Sequence, residues 1–387
     1  MILISFDGTR WDHVPNPERA AFPELPAFSD VARHGVAAER LIPVFPTNTF
    51  PNHVTLVTGV SPEIHGIVSN VFVDPERGLF RYRDDPSWIE VEPIWSIAAR
   101  QGVTSASFHW VGSEGVWRNR GGPRYWKPFD GSTPEREKVD QILAWLDLPR
   151  ERPRLITSWF HGADKPGHAN GPDSASVRGA LRGQDRALAR LLKGLRDRDA
   201  LAHTTLILVS DHGMAAVDKH VDLAAALRNA QVGARVLGAG GFAILSLAPG
   251  ASDLKPALAV ARRLGLEAHS REQAPASLRL GHPRFGSGVV LAPIGTAIQS
   301  SGGSKPAMAG SHGYRPEVTE MGGLFLGLGR GARPGHQLGE VHAVDVAPTV
   351  LALLGLSVPQ WMEGTPIAEM IPSGVQPAGP AIEGGAR

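Results

Sequence analysis

A chain of 387 residues with 42% hydrophobic content is long enough for one large domain or two ordinary ones, and 39 basic against 38 acidic residues argue against a general grip on nucleic acid. There is no cysteine, which excludes disulfides and thiolate metal sites and leaves His, Asp, Asn and hydroxyl oxygen as the possible metal ligands. No apolar run approaches the roughly 18–20 residues that cross a bilayer, and Met1 leads straight into a strand without a signal-peptide pattern. The location expected is therefore cytoplasmic, or periplasmic or secreted if a leader has been removed.

Taken in chain order, Ile2-Leu3-Ile4-Ser5-Phe6 reads as a buried strand ending in Asp7. The segment from Pro46 to His53 carries hydroxyl side chains, and Thr49 falls at the start of a helix expected to end near Gly59. Free N–H groups and the helix dipole favour an anionic oxygen there, so Thr49 alone fits a cap as well as a nucleophile. A helix over 93–101 runs into Gly102, and a strand follows over 103–109. Amphipathic helices are predicted over 136–147 and 174–201, the second with Val177, Leu181, Leu188, Leu191 and Leu192 on one face and its Arg and Lys solvated. Between these helices a second buried strand, 155–160, leads towards Asp164 and His168; beyond them a third, 206–210, ends in Asp211-His212. From 223 to 305 the pattern weakens into a helix over 255–264 and short strands near 242–247 and 289–291. We read that stretch as a small inserted subdomain in a core made of 1–222 and 306–371. The chain returns with a strand over 323–327 and a helix over 344–354, and the Pro-, Gly- and Ala-rich tail, 372–387, is expected to be disordered.

Apolar β-rich runs alternating with helical segments predict an α/β fold, a mostly parallel central sheet covered on both faces. In such a sheet the carboxyl ends of the strands converge on one crevice, so ligands far apart in sequence meet there. Singly, each candidate has a plainer reading: Asp7-Gly8 as a turn, His312 as a loop histidine, Asn70 as a turn residue. Asp164 and His168, four residues apart in a Gly/Pro-rich segment, make a tighter chelate. What points to a two-metal phosphoryl-transfer site is their coincidence at one sheet edge, which no plainer reading accounts for.

The motifs also resemble a known family. Ile4-Ser5-Phe6-Asp7-Gly8, Thr49-Phe50-Pro51-Asn52-His53, Asn70 after His65-Gly66-Ile67, and Glu92-Pro93-Ile94-Trp95 carry the likeness, as do Trp110-Val111-Gly112-Ser113-Glu114, Asp164 to His168 with Gly171-Pro172, Ser210 to Met214, and His312-Gly313-Tyr314. Over nearly its whole length the chain resembles a bacterial nucleotide pyrophosphatase/phosphodiesterase of the alkaline phosphatase superfamily. The resemblance implies an alkaline-phosphatase-like three-layer sandwich and two zinc ions, one on Asp164, His168 and His312 and the other on Asp7, Asp211 and His212. Mn²⁺ or Co²⁺ could substitute, since no thiolate enforces selectivity. It further implies Thr49 as nucleophile through a phosphothreonine intermediate, Asn70 and the Phe50 amide as donors to a phosphoryl oxygen, and a base stacked on Phe50 with Trp126 opposite. Two positions depart from the family pattern: Val111 replaces a proline, and Phe160-His161-Gly162-Ala163 replaces an acidic stretch. The partner expected is a small nucleotide or phosphodiester that yields a nucleoside monophosphate, with no stable nucleic-acid or membrane partner. Alternatives on the same core are a lipid head-group or glycerophosphodiester hydrolase, a phosphomonoesterase, or a non-catalytic nucleotide- or metal-binding protein. No arginine adjoins the motifs except Arg10, which favours diesters over monoesters.

Overall fold

The computed structural model describes residues 1–15, 24–299 and 308–371, so the tail expected to be disordered lies outside the described residues. Ile2–Phe6 is buried at every position because it is an inner strand of an eight-stranded sheet. Across that sheet the strands run in the order His336–Leu338, Val36–Ala38, Phe325–Gly329, Thr205–Val209, Ile2–Phe6, Leu155–Phe160, Ser105–Phe108 and Tyr125–Lys127. Only Phe325–Gly329 runs antiparallel to its neighbours, so the sheet is mostly parallel as predicted.

Side chains alternate across a strand, and this divides the apolar runs between two cores. Ile2, Ile4 and Phe6 pack with Phe28, Val139, Ile142, Leu181, Leu188 and Leu191 on one face. Leu3, Leu155, Ile207 and Val209 pack with Leu56, Val57, Trp95, Val346 and Val350 on the other. Each fully buried Leu or Ile contributes roughly 2 kcal/mol of burial free energy, which fixes the register and with it the strand ends.

The long helix is Ala175–Arg196, shorter than the expected 174–201. Ser174 caps it by accepting from the Val177 amide, and the chain then turns through Asp199 at φ +50°, a left-handed conformation that no helix continues. Asp164–Asn170, which reads as an irregular Gly/Pro-rich segment, is a short helix, so Asp164 and His168 share one face. Elements without a clear sequence signal are the short strands Val36–Ala38 and His336–Leu338 and the hairpin Val71–Asp74/Gly78–Arg81. Within 223–299 a separate four-stranded antiparallel sheet runs Ala234–Leu237, Phe242–Leu247, Gly288–Leu291, Glu267–Ser270, with Leu223–Asn229 and Lys255–Arg263 as helices. Its Phe242, Ile244 and Val289 pack under Phe45, Phe50 and Val54. Gly241 donates its N–H to His312 O at 2.8 Å, and a Cβ there would stand 2.5 Å from the Tyr314 amide nitrogen, so only glycine allows this approach. The second sheet thus buttresses the loop that carries His312. Among the described residues no helix is long and apolar enough to cross a membrane.

Candidate active site

Three neighbouring parallel strands deliver the acidic residues. The Ile2–Phe6 strand lies between Leu155–Phe160 and Thr205–Val209, so Asp7 emerges flanked by the segments that lead to Asp164 and Asp211. Asp7 also continues the ladder, its N–H donating to Phe160 O at 2.9 Å. All six predicted ligands come together. Asp164, His168 and His312 offer ligand atoms within 4.8 Å of one another, and so do Asp7, Asp164 and His212, which puts Asp164 between the two groups. Asp211 lies beside the second group, its Oδ2 3.1 Å from His212 Nε2 and its Oδ1 accepting from the Gly8 amide at 3.2 Å.

The histidine hydrogen bonds determine which nitrogen is free. Nδ1 of His168 faces Gly310 O at 2.9 Å, Nδ1 of His212 faces Gly213 O at 2.8 Å, and Nδ1 of His312 faces Thr47 O at 3.0 Å. A carbonyl oxygen only accepts, so each Nδ1 carries the proton and each neutral ring keeps its lone pair on Nε2. Those Nε2 atoms look at carboxylates: His168 and His312 stand 3.4 and 3.9 Å from Asp164 Oδ1. A lone pair aimed at a carboxylate is repulsive unless positive charge lies between them. Asp7 Oδ1 and Asp164 Oδ1 are moreover buried without a hydrogen-bond partner. Both observations fit bound metal cations.

The electrostatics agree. Burial, then the Asp211 and Asp164 charges, holds the Asp7 carboxyl well above its ordinary range. Burial, then His212 and His168, pushes His312 well below the usual imidazole value. Burial would raise Asp211 as well, but positive charge on the side of His212 and His53 outweighs it and holds that carboxyl low, charge that a bound cation would supply while the rings stay neutral. His53, not among the predicted ligands, reaches Asp211 Oδ2 at 3.4 Å; its place one helical turn after Thr49 was the available signal.

Thr49 is the first residue of the helix Thr49–Thr58, and Gly59 ends it at φ +70°. The turn before it is pinned by buried Asn52, whose Oδ1 accepts from the Val44 amide at 2.7 Å and whose Nδ2 donates to Pro46 O and Asn48 O at 3.0 Å each. Thr49 Oγ1 then stands 3.2 Å from His212 Nε2. Asn70 is adjacent, with one correction: its Oδ1 accepts from the Phe50 amide at 2.8 Å, so that amide is already engaged and is no free donor to substrate.

A cavity of about 380 Å³ opens over these groups, lined by Asp7, Thr49, Asp164, His168 and His312 together with Phe50, Asn70, Tyr82, Phe129 and Trp159. Trp126, the expected stacking partner of Phe50, is not in its wall. It lies on the sheet's edge strand, where alternation buries part of Tyr125 and leaves Trp126 42% exposed. Phe129, three residues on, lines the cavity instead. It stacks on Trp159 at 4.8 Å between ring centroids, and Glu114 Oε1 accepts from its amide at 2.8 Å. Trp159 in turn donates Nε1–H to Asp7 Oδ2 at 3.0 Å, joining the aromatic wall to the carboxylates.

The departure at 160–163 shapes the wall as well. His161 lines the cavity, and its Nδ1 accepts from Lys138 Nζ at 2.9 Å while its Nε2–H donates to Gly131 O at 3.1 Å. Lys138 is fully buried and donates also to Trp159 O at 2.8 Å; burial brings its pKa down to about 8. Val111 is buried in the apolar cluster beneath Phe50. Arg10 turns away to Asp12 and Asp173, and among the described lining residues Lys165 is the one permanent cation.

Comparison with known proteins agrees with this geometry. The family model for type I phosphodiesterase/nucleotide pyrophosphatase matches residues 1–315. An uncharacterized pyrophosphatase/phosphodiesterase of Schizosaccharomyces pombe is 42% identical over 223 residues, 56% of this chain and 44% of that protein. Human ectonucleotide pyrophosphatase/phosphodiesterase family member 1 is 37% identical over 219 residues, 55% of this chain and 23% of that protein. The aligned part therefore spans less than half the length of these curated relatives. Murine ectonucleotide pyrophosphatase/phosphodiesterase 5 superposes with a TM-score of 0.83 at 27% identity, covering 93% of this chain and 96% of that one. An inactive variant of the murine protein, solved in complex with AMP, gives 0.84 at 26% identity over 93% and 96% of the two chains. The likeness extends over the whole alkaline-phosphatase-like fold, and the chain belongs to the type I phosphodiesterase/nucleotide pyrophosphatase family.

Proposed function

We propose that the chain is a metal-dependent hydrolase that cleaves phosphoanhydride or phosphodiester bonds of nucleotides and releases a nucleoside monophosphate. The observation that carries this reading is the Thr49 hydroxyl, 3.2 Å from His212 Nε2 and in the wall of a cavity also lined by Asp7, Asp164, His168 and His312. Asp164, His168 and His312 would hold one divalent cation and Asp7, Asp211 and His212 a second. Mixed Asp/His donors suit zinc, with Mn²⁺ or Co²⁺ as substitutes. Bound there, the cations would supply positive charge that favours an ionised hydroxyl and neutralises a departing oxygen.

Thr49 Oγ1 attacks phosphorus in line, and its new P–O bond forms as the bond to the leaving oxygen breaks, giving phosphothreonine and the released group. Water then attacks the same phosphorus and returns the free Thr49 hydroxyl. Asn70 presents its NH₂ to a non-bridging oxygen, because its carbonyl is held by the Phe50 amide. Phe50 and Phe129 give the nucleoside an aromatic wall. A nucleotide is the favoured substrate class, since the murine relative is solved with AMP. Relatives named as ectonucleotide and venom enzymes support an exported location.

A diester monoanion suits this cavity better than a monoester dianion, whose extra charge calls for a bidentate arginine that the described lining lacks. Compared on p-nitrophenyl thymidine monophosphate and p-nitrophenyl phosphate, kcat/KM should favour the diester by at least about tenfold. Thr49→Ala should lose roughly a thousandfold or more while keeping fold and metal, and Thr49→Ser should retain part of the activity. Elemental analysis of the active protein should give two metal equivalents. Equal or reversed efficiencies move the assignment to a phosphatase, and full turnover by Thr49→Ala removes the covalent route.

A further inference from the structure

Tyr82 follows the Gly78–Arg81 strand in a left-handed conformation, φ +45°. For a residue with a bulky side chain that conformation costs roughly 1–2 kcal/mol and persists only where the surroundings impose it. Here Asn70 imposes it from two directions. The Tyr82 amide donates to Asn70 O at 3.1 Å, and the phenol lies beside the Asn70 side chain. The ring meets the edge of Phe50, 5.4 Å between centroids at 84°, and the residue lines the cavity beside Thr49, Asp7 and Asp164.

Which end of the Asn70 amide faces the phenol is determined by the bond at its other end. Asn70 Oδ1 accepts from the Phe50 N–H, so what Asn70 turns to the phenol is its NH₂, from which the Tyr82 oxygen can only accept. The phenolic O–H is then left to donate elsewhere. An ordinary phenol titrates at about 10, so the proton stays on at neutral pH. Packing against Phe50 needs only the ring; the hydroxyl is superfluous to it.

Building on the phosphodiesterase reading above, we propose that Tyr82 is a further catalytic residue, whose hydroxyl donates a hydrogen bond to a non-bridging oxygen of the phosphoryl group attacked by Thr49. It takes the role that sequence reasoning gave to the Phe50 amide, with Asn70 as the second donor. The proton remains on the tyrosine throughout; only charge on the phosphoryl oxygen is stabilised.

The test uses the metal-loaded full chain and three substrates, p-nitrophenyl thymidine monophosphate and its two phosphorothioate diastereomers. Tyr82→Phe keeps the ring and removes the donor. Its kcat/KM on the oxygen substrate should fall about tenfold with KM within about twofold of wild type. Sulfur is a weak acceptor, so for the one diastereomer that places sulfur against Tyr82 the difference between variant and wild type should shrink to less than about threefold. Tyr82→Leu, which keeps an apolar contact with Phe50, should show the same selectivity for one diastereomer, so that a folding defect peculiar to either variant is recognised. Unchanged kcat/KM in Tyr82→Phe overturns the proposal. So does a loss of equal size on all three substrates, which would mark a structural role. If wild type turns over the diester and Thr49→Ala does not, either result counts against Tyr82 alone. A wild type inactive on every diester removes the underlying reading and this proposal together.

Discussion

Phe129 and Trp126 are three residues apart and their positions differ completely: one lines the cavity, the other is exposed on the edge strand. Stacking on a nucleobase contributes roughly 1–3 kcal/mol, so Phe129→Ala should raise KM for a nucleotide substrate about tenfold with little change in kcat. Trp126→Ala should leave both within about twofold. Steady-state kinetics on the two variants decide the matter, and a larger KM effect from Trp126 would restore it to the substrate site. The contrast shows what was legible at this scale. Asp7, Asp211 and His212 could be read because they lie within three residues of the end of a buried strand, and sheet geometry then forces convergence. Thr49 could be read because a helix start is a local signal. Phe129 and Tyr82 could not, because their orientation depends on turns whose path is set by partners distant in sequence, Glu114 for Phe129 and Asn70 for Tyr82.

Between elements, one buried side chain ties the second sheet to the core. Arg284 Nε donates to Asp74 Oδ2 at 2.6 Å, its Nη2 reaches Glu90 Oε1 at 2.9 Å, and its Nη1 donates to Gly66 O at 2.9 Å and Trp88 O at 3.0 Å. The hairpin Val71–Asp74/Gly78–Arg81 is thereby clamped between the segment before Asn70 and the short helical turn Pro283–Phe285. Removing the guanidinium strands Asp74 Oδ2 and two carbonyls without a donor, while Asp74 Oδ1 keeps the Glu76 and Arg77 amides, and breaking a buried pair of this kind costs about 3–5 kcal/mol. Arg284→Met should lose that much in urea denaturation while metal content stays unchanged; a loss below about 1 kcal/mol would mean that apolar packing in the Phe242/Phe285 cluster holds the interface unaided. Nothing in the local sequence announces this strap, since Arg284 and Asp74 are far apart in the chain. The hairpin itself is hard to read for a related reason: Val73 and Leu79 are exposed, so it lacks the clean alternation of a half-buried strand pair. The major helices and inner strands were readable because two-faced burial demands long apolar periodicity. Their ends were less so, as in the helix that stops at Arg196.

For the molecule as a whole, the fold buries several histidines outside the ligand set in neutral form, and this sets its response to acid. Burial lowers His65 and His109 to about 3, and burial together with Arg10 lowers His13 to about 4. His65 shows why neutrality is built in. Its Nδ1 accepts from the Ile67 N–H at 3.1 Å, so the ring proton is on Nε2, which donates to Thr55 Oγ1 at 3.0 Å. Protonating Nδ1 would break the Ile67 bond and leave a charge with no exposed surface. In the unfolded chain the same imidazole titrates near 6.5, so between pH 6.5 and about 3 the unfolded state binds the extra proton and the folded state does not. Stability is therefore complete above pH 6.5 and falls as the solution is acidified through that window. For His65 alone the loss from pH 7 to pH 5 is about 2 kcal/mol. His65→Gln keeps a polar side chain and cannot titrate. It should be less stable than wild type at neutral pH because its amide replaces a fitted ring, yet its stability should decline less steeply, by about 2 kcal/mol over the same interval. Metal loss at low pH affects both proteins and cancels in the difference. Urea denaturation at pH 7, 6 and 5 measures it, and parallel pH profiles for the two proteins would show that His65 takes up no proton on unfolding in this range.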